Sequence, residues 1–240
     1  MNIILFDEFP PDGIIPADDE RAKHITDILK LGKGKSFRMG VINKSEGEAV
    51  IKAVTSSGVE IAYEPKATPV LYPVTLLCAQ VRPICMKRIL REAVSLGVGR
   101  IILCGSDTGE KSYLSSNLYK TGEYLEYLKD GAMQSSHAGI PEVLFTECVS
   151  QAIKTVNEKC SEGSDLIMLD NVSGAVSLSA ADVKKSAVLA IGPERGWSDG
   201  ERKLFACNGY RAMLLGARVL RTETACSCGI ALLLSRMGLL

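Results

Sequence analysis

Two short segments near the carboxyl end of this 240-residue chain gather residues that could do chemistry. The first is Ile191-Gly192-Pro193-Glu194-Arg195-Gly196-Trp197-Ser198-Asp199-Gly200-Glu201. The second is Leu215-Gly216-Ala217-Arg218-Val219-Leu220-Arg221-Thr222-Glu223-Thr224-Ala225. Each follows an apolar run too short for a helix and suited to a buried strand, and each leads into a helical pattern. Loops of this kind, side by side at the carboxyl ends of strands, are where open α/β sheets hold ligands.

In the first loop, Gly192 and Gly196 permit backbone shapes closed to other residues and let a ligand approach the main chain. Pro193 stiffens the turn. Ser198 and Glu201 have capping-box spacing, which predicts a helix starting near Asp199. Neither a cap nor an apolar face calls for the carboxylate of Glu194, which leaves a ligand contact or a loop-closing hydrogen bond. In the second loop Thr222 reads as an N-cap, with Glu223 favourably placed in the first helical turn. Arg221 stands just ahead of that positive helix end, where a cation gains nothing from the helix. With Arg218 it is either solvated or bridged to Glu223 and Glu194, or it clamps an anion or a developing negative charge. The pattern favours the clamp for Arg221.

The pair GPERGWS and LGARVLRTETA closely resembles the 16S ribosomal RNA uracil-N3 methyltransferase family, within the SPOUT superfamily of trefoil-knotted methyltransferases. The likeness runs over the whole chain. Arg21 to Ile25 and Ile28 to Gly34 resemble the family's amino-terminal RNA-binding signature, while Glu110-Lys111-Ser112 and Gln134 to Pro141 resemble its middle motifs. The chain departs from the pattern at Met133, where the family usually has an acid, and at His137 or Ala138, where some branches have an arginine.

The resemblance implies a PUA-like β-barrel over residues 1–68 and a knotted α/β methyltransferase domain over 74–240. It implies a homodimer, and S-adenosylmethionine held by Leu169, Ile191, Gly192, Pro193, Gly196, Leu215, Gly216, Leu220 and Thr222. The implied reaction is methylation of N3 of a uridine in 16S ribosomal RNA of the small subunit, with Arg221 and Glu194 as catalytic residues. Two alternatives stand beside it: a related methyltransferase acting on another RNA such as transfer RNA, and an inactive RNA-binding assembly factor. A nucleotide-binding oxidoreductase is disfavoured, since neither G-x-G-x-x-G nor a P-loop lysine motif occurs.

Composition fits a folded globular chain. Apolar residues make up 46% and charged residues 23%, enough for a core and against disorder. A formal net charge of zero means that a polyanion must be gripped by local clusters. Lys30, Lys33, Lys35 and Arg38 form one acid-free stretch, and Arg82, Lys87, Arg88 and Arg91 another. Lys30, Lys33, Arg38, Arg88 and Arg91 are the candidate phosphate contacts. The eight cysteines lack zinc spacing, and Cys78, Cys104 and Cys148 lie in apolar runs that predict core packing. No metal site is expected. Nor is a signal peptide or a stretch of roughly 20 apolar residues able to span a bilayer. A reduced, cytoplasmic protein is expected.

The elements that must position these loops follow from periodicity. Strands are predicted at Ile3–Phe6, Phe37–Asn43, Glu48–Val54 and Gly58–Tyr63, with turns at Ser45–Gly47 and Ser56–Gly58. A helix is predicted from about Ala17 to Leu31, with Ala22, Ile25, Ile28 and Leu29 on one face. Pro65, Pro69 and Pro73 mark a linker. Beyond it, strands at Val74–Ala79, Arg100–Cys104, Glu142–Thr146, Leu166–Leu169, Ala187–Ile191 and Arg211–Leu215 alternate with helices, the pattern of a mainly parallel sheet. The final helix, about Thr222 to Met237, is apolar too broadly for an exposed stripe and is expected in the core or between subunits.

Overall fold

The computed structural model describes residues 2–183 and 185–240. The chain clusters into two compact units. One runs to Val70 and takes back Ala132–Ile140; the other comprises Leu71–Gly131 and Pro141–Leu240.

The first unit is a five-stranded sheet of β1 (Ile4–Phe6), β2 (Ile14–Pro16), β3 (Ser36–Val41), β4 (Ser45–Thr55) and β5 (Gly58–Ala67), in the order β1-β3-β4-β5-β2. Only β1 and β3 pair in parallel. Register shifts at Glu46/Gly47 and Ile51/Ala53 put extra residues into the β4–β5 ladder, and such bulges curl a sheet. Inward side chains alternate along the strands: Phe37, Met39 and Val41 on β3 join Ile4, Phe6, Ile15, Ala49, Ile51, Val59 and Ile61 in one core, and Arg38 points out.

Helix α1 (Glu20–Lys23) is shorter than expected and passes into a wide π turn over His24–Ile28. Asp19 starts it by accepting the Arg21 amide at 2.8 Å. The π turn inserts a residue and rotates the apolar stripe, so Ala22 and Ile25 are buried while Ile28 and Leu29 are exposed. The turn expected at Ser45–Gly47 lies earlier, between β3 and β4. There Asn43 takes a left-handed φ of 57°, and Ser45–Gly47 begin β4. Asn43 also fastens the returning segment: its Oδ1 accepts the Ile140 amide at 2.8 Å and its Nδ2 donates to the Ile140 carbonyl at 3.1 Å.

The second unit is a seven-stranded sheet. Its strands are β6 (Tyr72–Ala79), β7 (Val98–Cys104), β8 (Glu142–Thr146), β9 (Asp165–Leu169), β10 (Val176–Ser177), β11 (Ala187–Ile191) and β12 (Arg211–Leu214). The order is β10-β12-β9-β11-β6-β7-β8, and every pair is parallel. Helices α2 (Pro83–Ser95), α3 (Asn117–Lys120), α4 (Tyr124–Ser135), α5 (Val149–Lys159) and α6 (Asp199–Cys207) lie between strands, and α7 (Thr222–Arg236) follows β12. A parallel sheet covered on both faces needs strands apolar throughout, and β11 is buried at all of Ala187–Ile191.

One face packs Val149, Ile153 and Val156 of α5 and Phe205 of α6 over Leu77, Ile102 and Val188. Helix α7 contacts β11 and α2, and Cys226 on it meets Cys78 of β6 with the sulfurs 4.0 Å apart. All eight cysteines are free. Cys78 and Cys104 are buried as expected, whereas Cys148 is exposed because it is the N-cap of α5 and not part of a strand. No helix among the described residues is long and apolar enough to cross a membrane.

The approach of α7 to the sheet depends on Gly229. A Cβ there would lie 2.8 Å from Leu169 Cδ1 and 3.2 Å from Leu189 Cδ2. Gly229→Val is therefore expected to lower unfolding free energy by about 1–3 kcal/mol through overpacking, read from urea denaturation midpoints. An unchanged midpoint would mean that α7 can back away freely.

Candidate functional site

Strands β12, β9 and β11 are neighbours, so the loops leaving their carboxyl ends lie side by side and line a slot of about 110 Å³. The β9 loop contributes Leu169, Asp170 and Asn171, and the β11 loop Ile191, Gly192, Pro193, Glu194 and Gly196. Leu215, Arg218, Val219, Leu220 and Thr222 line it from the β12 loop, with Met213 and Ala225.

The β11 loop is held from several sides. Gly196 has a φ of +70°, and its amide donates to the Pro193 carbonyl at 2.8 Å to close a tight turn. A Cβ on Gly192 would come within 3.3 Å of the Gly196 backbone and of Trp197, so the turn folds this tightly only with glycine there. Trp197, 2% exposed, meets Phe205 edge-on at 4.8 Å and anchors the loop in the core. The Thr108 hydroxyl donates to the Gly196 carbonyl at 2.5 Å. The expected capping box is present: Ser198 Oγ accepts the Glu201 amide at 3.1 Å, and Glu201 Oε2 accepts the Ser198 amide at 2.8 Å. Glu201, though buried, also accepts the Asp107 amide at 2.9 Å and the Ser106 hydroxyl at 3.3 Å. A buried carboxylate so supplied with donors is a structural bolt.

Thr222 does not cap α7. Arg221 occupies the N-cap position, and the Thr222 hydroxyl instead donates to the Gly192 carbonyl at 3.3 Å, joining the two loops. The β9 loop is tied to α6 by Arg202, whose Nε donates to Asp170 Oδ2 at 2.6 Å and whose Nη1 donates to Asp199 Oδ1 at 3.0 Å. The Asp170 and Asp199 carboxylates hold the Arg202 guanidinium above its ordinary pKa, the Asp170 hydrogen bond counting most.

The slot thus gathers Leu169, Ile191, Gly192, Pro193, Glu194, Gly196, Leu215, Leu220 and Thr222. Gly216 lies outside its lining and a Cβ there would meet open space. Arg221 is exposed just beyond the lining, between Leu220 and Thr222, while Arg218 is part of the wall. Among the described residues neither Arg218 nor Arg221 forms an ion pair. Glu194 is exposed and accepts the Arg82 amide at 3.5 Å. Sequence reasoning passed over Asn171, Met213 and the Thr108 brace. The run Gly105-Ser106-Asp107-Thr108-Gly109 directly after β7 was the available signal for the brace, since polar residues with glycine at a strand's carboxyl end mark this edge of a parallel sheet.

The two basic clusters differ. Lys30, Lys33, Lys35 and Arg38 are all exposed on the first unit, and Arg38 Nη2 donates to the Ser136 carbonyl at 3.1 Å. On α2, acids absent from the local sequence arrive from the next helices. Lys87 pairs with Glu123 at 2.6 Å, and Arg91 pairs with Asp130 at 3.2 Å and lies over the Tyr127 ring. Arg88 remains exposed. Arg21 is used internally: it binds Asp19 at 2.6 Å and stacks on Phe6 with its Cζ 4.1 Å from the ring centre.

Known proteins match this architecture. A family model for the RNA methyltransferase domain matches residues 68–234. The chain is 34% identical to the ribosomal RNA small subunit methyltransferase E of Treponema pallidum over 98% of its own length and 91% of the relative's. It is 28% identical to ribosomal RNA small subunit methyltransferase E 1 of Borreliella burgdorferi over 94% of each chain. The crystal structure of the Neisseria gonorrhoeae ribosomal RNA small subunit methyltransferase E bound to S-adenosyl methionine superposes with a TM-score of 0.78, covering 98% of this chain and 97% of that one at 21% identity. That likeness is one of fold: a curled PUA-like sheet followed by a knotted SPOUT-type α/β domain. By the family model over most of its length and by its relatives end to end, the chain belongs to the RNA methyltransferase family, in the group of ribosomal RNA small subunit methyltransferase E.

Proposed function

We propose that the protein transfers a methyl group from S-adenosylmethionine to N3 of a uridine in 16S ribosomal RNA, acting as a cytoplasmic homodimer. The observation that carries this reading is the slot built from three adjacent strand ends in a chain of this family. Leu169, Leu215 and Leu220 supply apolar walls, and the backbone of Ile191 and Gly192 supplies edge hydrogen bonds at close range. Arg218 stands in the wall where a carboxylate or ribose would be met. When bound, S-adenosylmethionine supplies an electrophilic methyl on a sulfonium.

Uridine N3 carries a proton and is a poor nucleophile until that proton leaves. Glu194, on the rim and exposed, accepts it directly or through water. The negative charge left on O2 and O4 of the ring then needs a fixed donor. Arg221 is suited to this task, since the first turn of α7 fixes its backbone and no carboxylate among the described residues engages its guanidinium. The exposed Val219 and Ile84, 82% and 61% accessible, are apolar surface that a second copy would cover. A sedimentation mass of a single chain at micromolar concentration would exclude the dimer.

Nucleoside mass spectrometry of 16S ribosomal RNA is expected to show 3-methyluridine in cells with the gene and none without it; loss confined to transfer RNA would redirect the assignment. Arg221→Ala is expected to lower kcat by about 10²–10³ with S-adenosylmethionine affinity retained, and Glu194→Gln to lower kcat by about 10²–10⁴. Near-full turnover of either variant would strip that residue of its role. Replacing Lys30, Lys33 and Arg38 together by Gln is expected to flatten the slope of log affinity against log salt by about 2–3. An unchanged slope would mean these side chains face away from RNA.

A further inference from the structure

A second cavity, of about 490 Å³, opens in the same unit beyond the carboxyl ends of β6, β7 and β8. It is large enough for a nucleotide-sized ligand, and polar side chains such as Gln80 and Ser106 line it beside Leu114 and Cys148. Gln80, the residue after β6, lines it and is 2% exposed. The Tyr119 hydroxyl donates to Gln80 Oε1 at 2.6 Å and fixes the amide. Burial pushes the Tyr119 phenol well above its ordinary pKa, so it stays protonated. Gln80 Nε2 is buried without a hydrogen-bond partner. An unmatched buried donor costs about 1–3 kcal/mol, and an acceptor brought by a ligand recovers it.

The rim selects among ligands. Asp107, Glu110 and Glu147 outnumber Lys111, so a phosphate is repelled. A flat ring with a carbonyl for Gln80 and an N–H edge for Glu110 fits this distribution. Such a ring is a nucleobase. It is not the base that receives the methyl group, because the cavity shares no lining residue with the slot. The β11 loop, with its Gly196 carbonyl held by Thr108 and Glu194 held by the Arg82 amide, stands between them.

We propose that this cavity receives an unstacked base of the substrate RNA near the methylated uridine, with the Gln80 amide reading a carbonyl on its edge. The proposal rests on the RNA methyltransferase reading and adds a recognition site to it. RNA is read in this way where single-stranded bases are splayed out into pockets.

Cys148, exposed at the cavity wall, reports occupancy without a mutation. In the full-length protein, alkylation of Cys148 by N-ethylmaleimide is followed by peptide mass spectrometry, with the exposed Cys207 on α6 as internal reference. Unmethylated 16S ribosomal RNA or small subunits are expected to slow Cys148 several-fold relative to Cys207, while S-adenosylmethionine alone leaves the ratio unchanged. Gln80→Leu is expected to raise KM for RNA by about tenfold with the dissociation constant of S-adenosylmethionine unaltered. Equal alkylation with and without bound RNA would overturn the proposal, as would an unchanged KM in a Gln80→Leu protein that binds S-adenosylmethionine normally. Absence of methyl transfer by the wild type would instead count against the function, and Cys148 protection would still locate the base.

Discussion

The buried carboxylate of Glu201 is the point from which the site is organised. It accepts the Ser198 amide and so starts α6, and it accepts the Asp107 amide and Ser106 hydroxyl and so fixes the loop that follows β7. That second loop carries Thr108, which holds the Gly196 carbonyl. A charged group in the interior is tolerable only when its lone pairs are met, and here the donors come from the two loops whose relative position matters. The turn around Gly196 is therefore set before any ligand arrives, the preorganisation that recognition through backbone groups requires.

Much of the second unit was legible in the sequence because its determinants are local. Short apolar runs bounded by loops marked β6, β7, β8, β9, β11 and β12 to within a residue or two, and S-x-x-E spacing marked the start of α6. The two-residue β10 and the proline-ended β2 carried too little pattern to register. Most residues expected from the two loops to contact a cofactor line one slot, since each loop leaves the end of a strand and the strands are neighbours.

What stayed hidden depended on distant partners. Thr222 sits where a cap residue is expected, yet its hydroxyl serves the Gly192 carbonyl thirty residues upstream. The stretch from Arg82 to Arg91 contains no acid, but Glu123 and Asp130 on or beside α4 reach Lys87 and Arg91, leaving Arg88 as the exposed cation of those three. The π turn after α1 exposed Ile28 and Leu29, which simple 3.6-residue periodicity assigns to the core. Spacing reports what a segment prefers; these outcomes were decided by what came to meet it.

The return of Ala132–Ile140 to the first unit bears on how the chain is made. Ala138 donates its amide to the buried side of Glu46 at 3.0 Å, and Asn43 clasps Ile140, so the β3–β4 hairpin is completed by residues translated long after it. On the ribosome, the amino-terminal sheet emerges early but waits for roughly half the polypeptide before its last ties close. The contacts of Glu46 and Asn43 with Ala138 and Ile140 can therefore close only after the chain has been made past Ile140, when part of the later unit has already emerged.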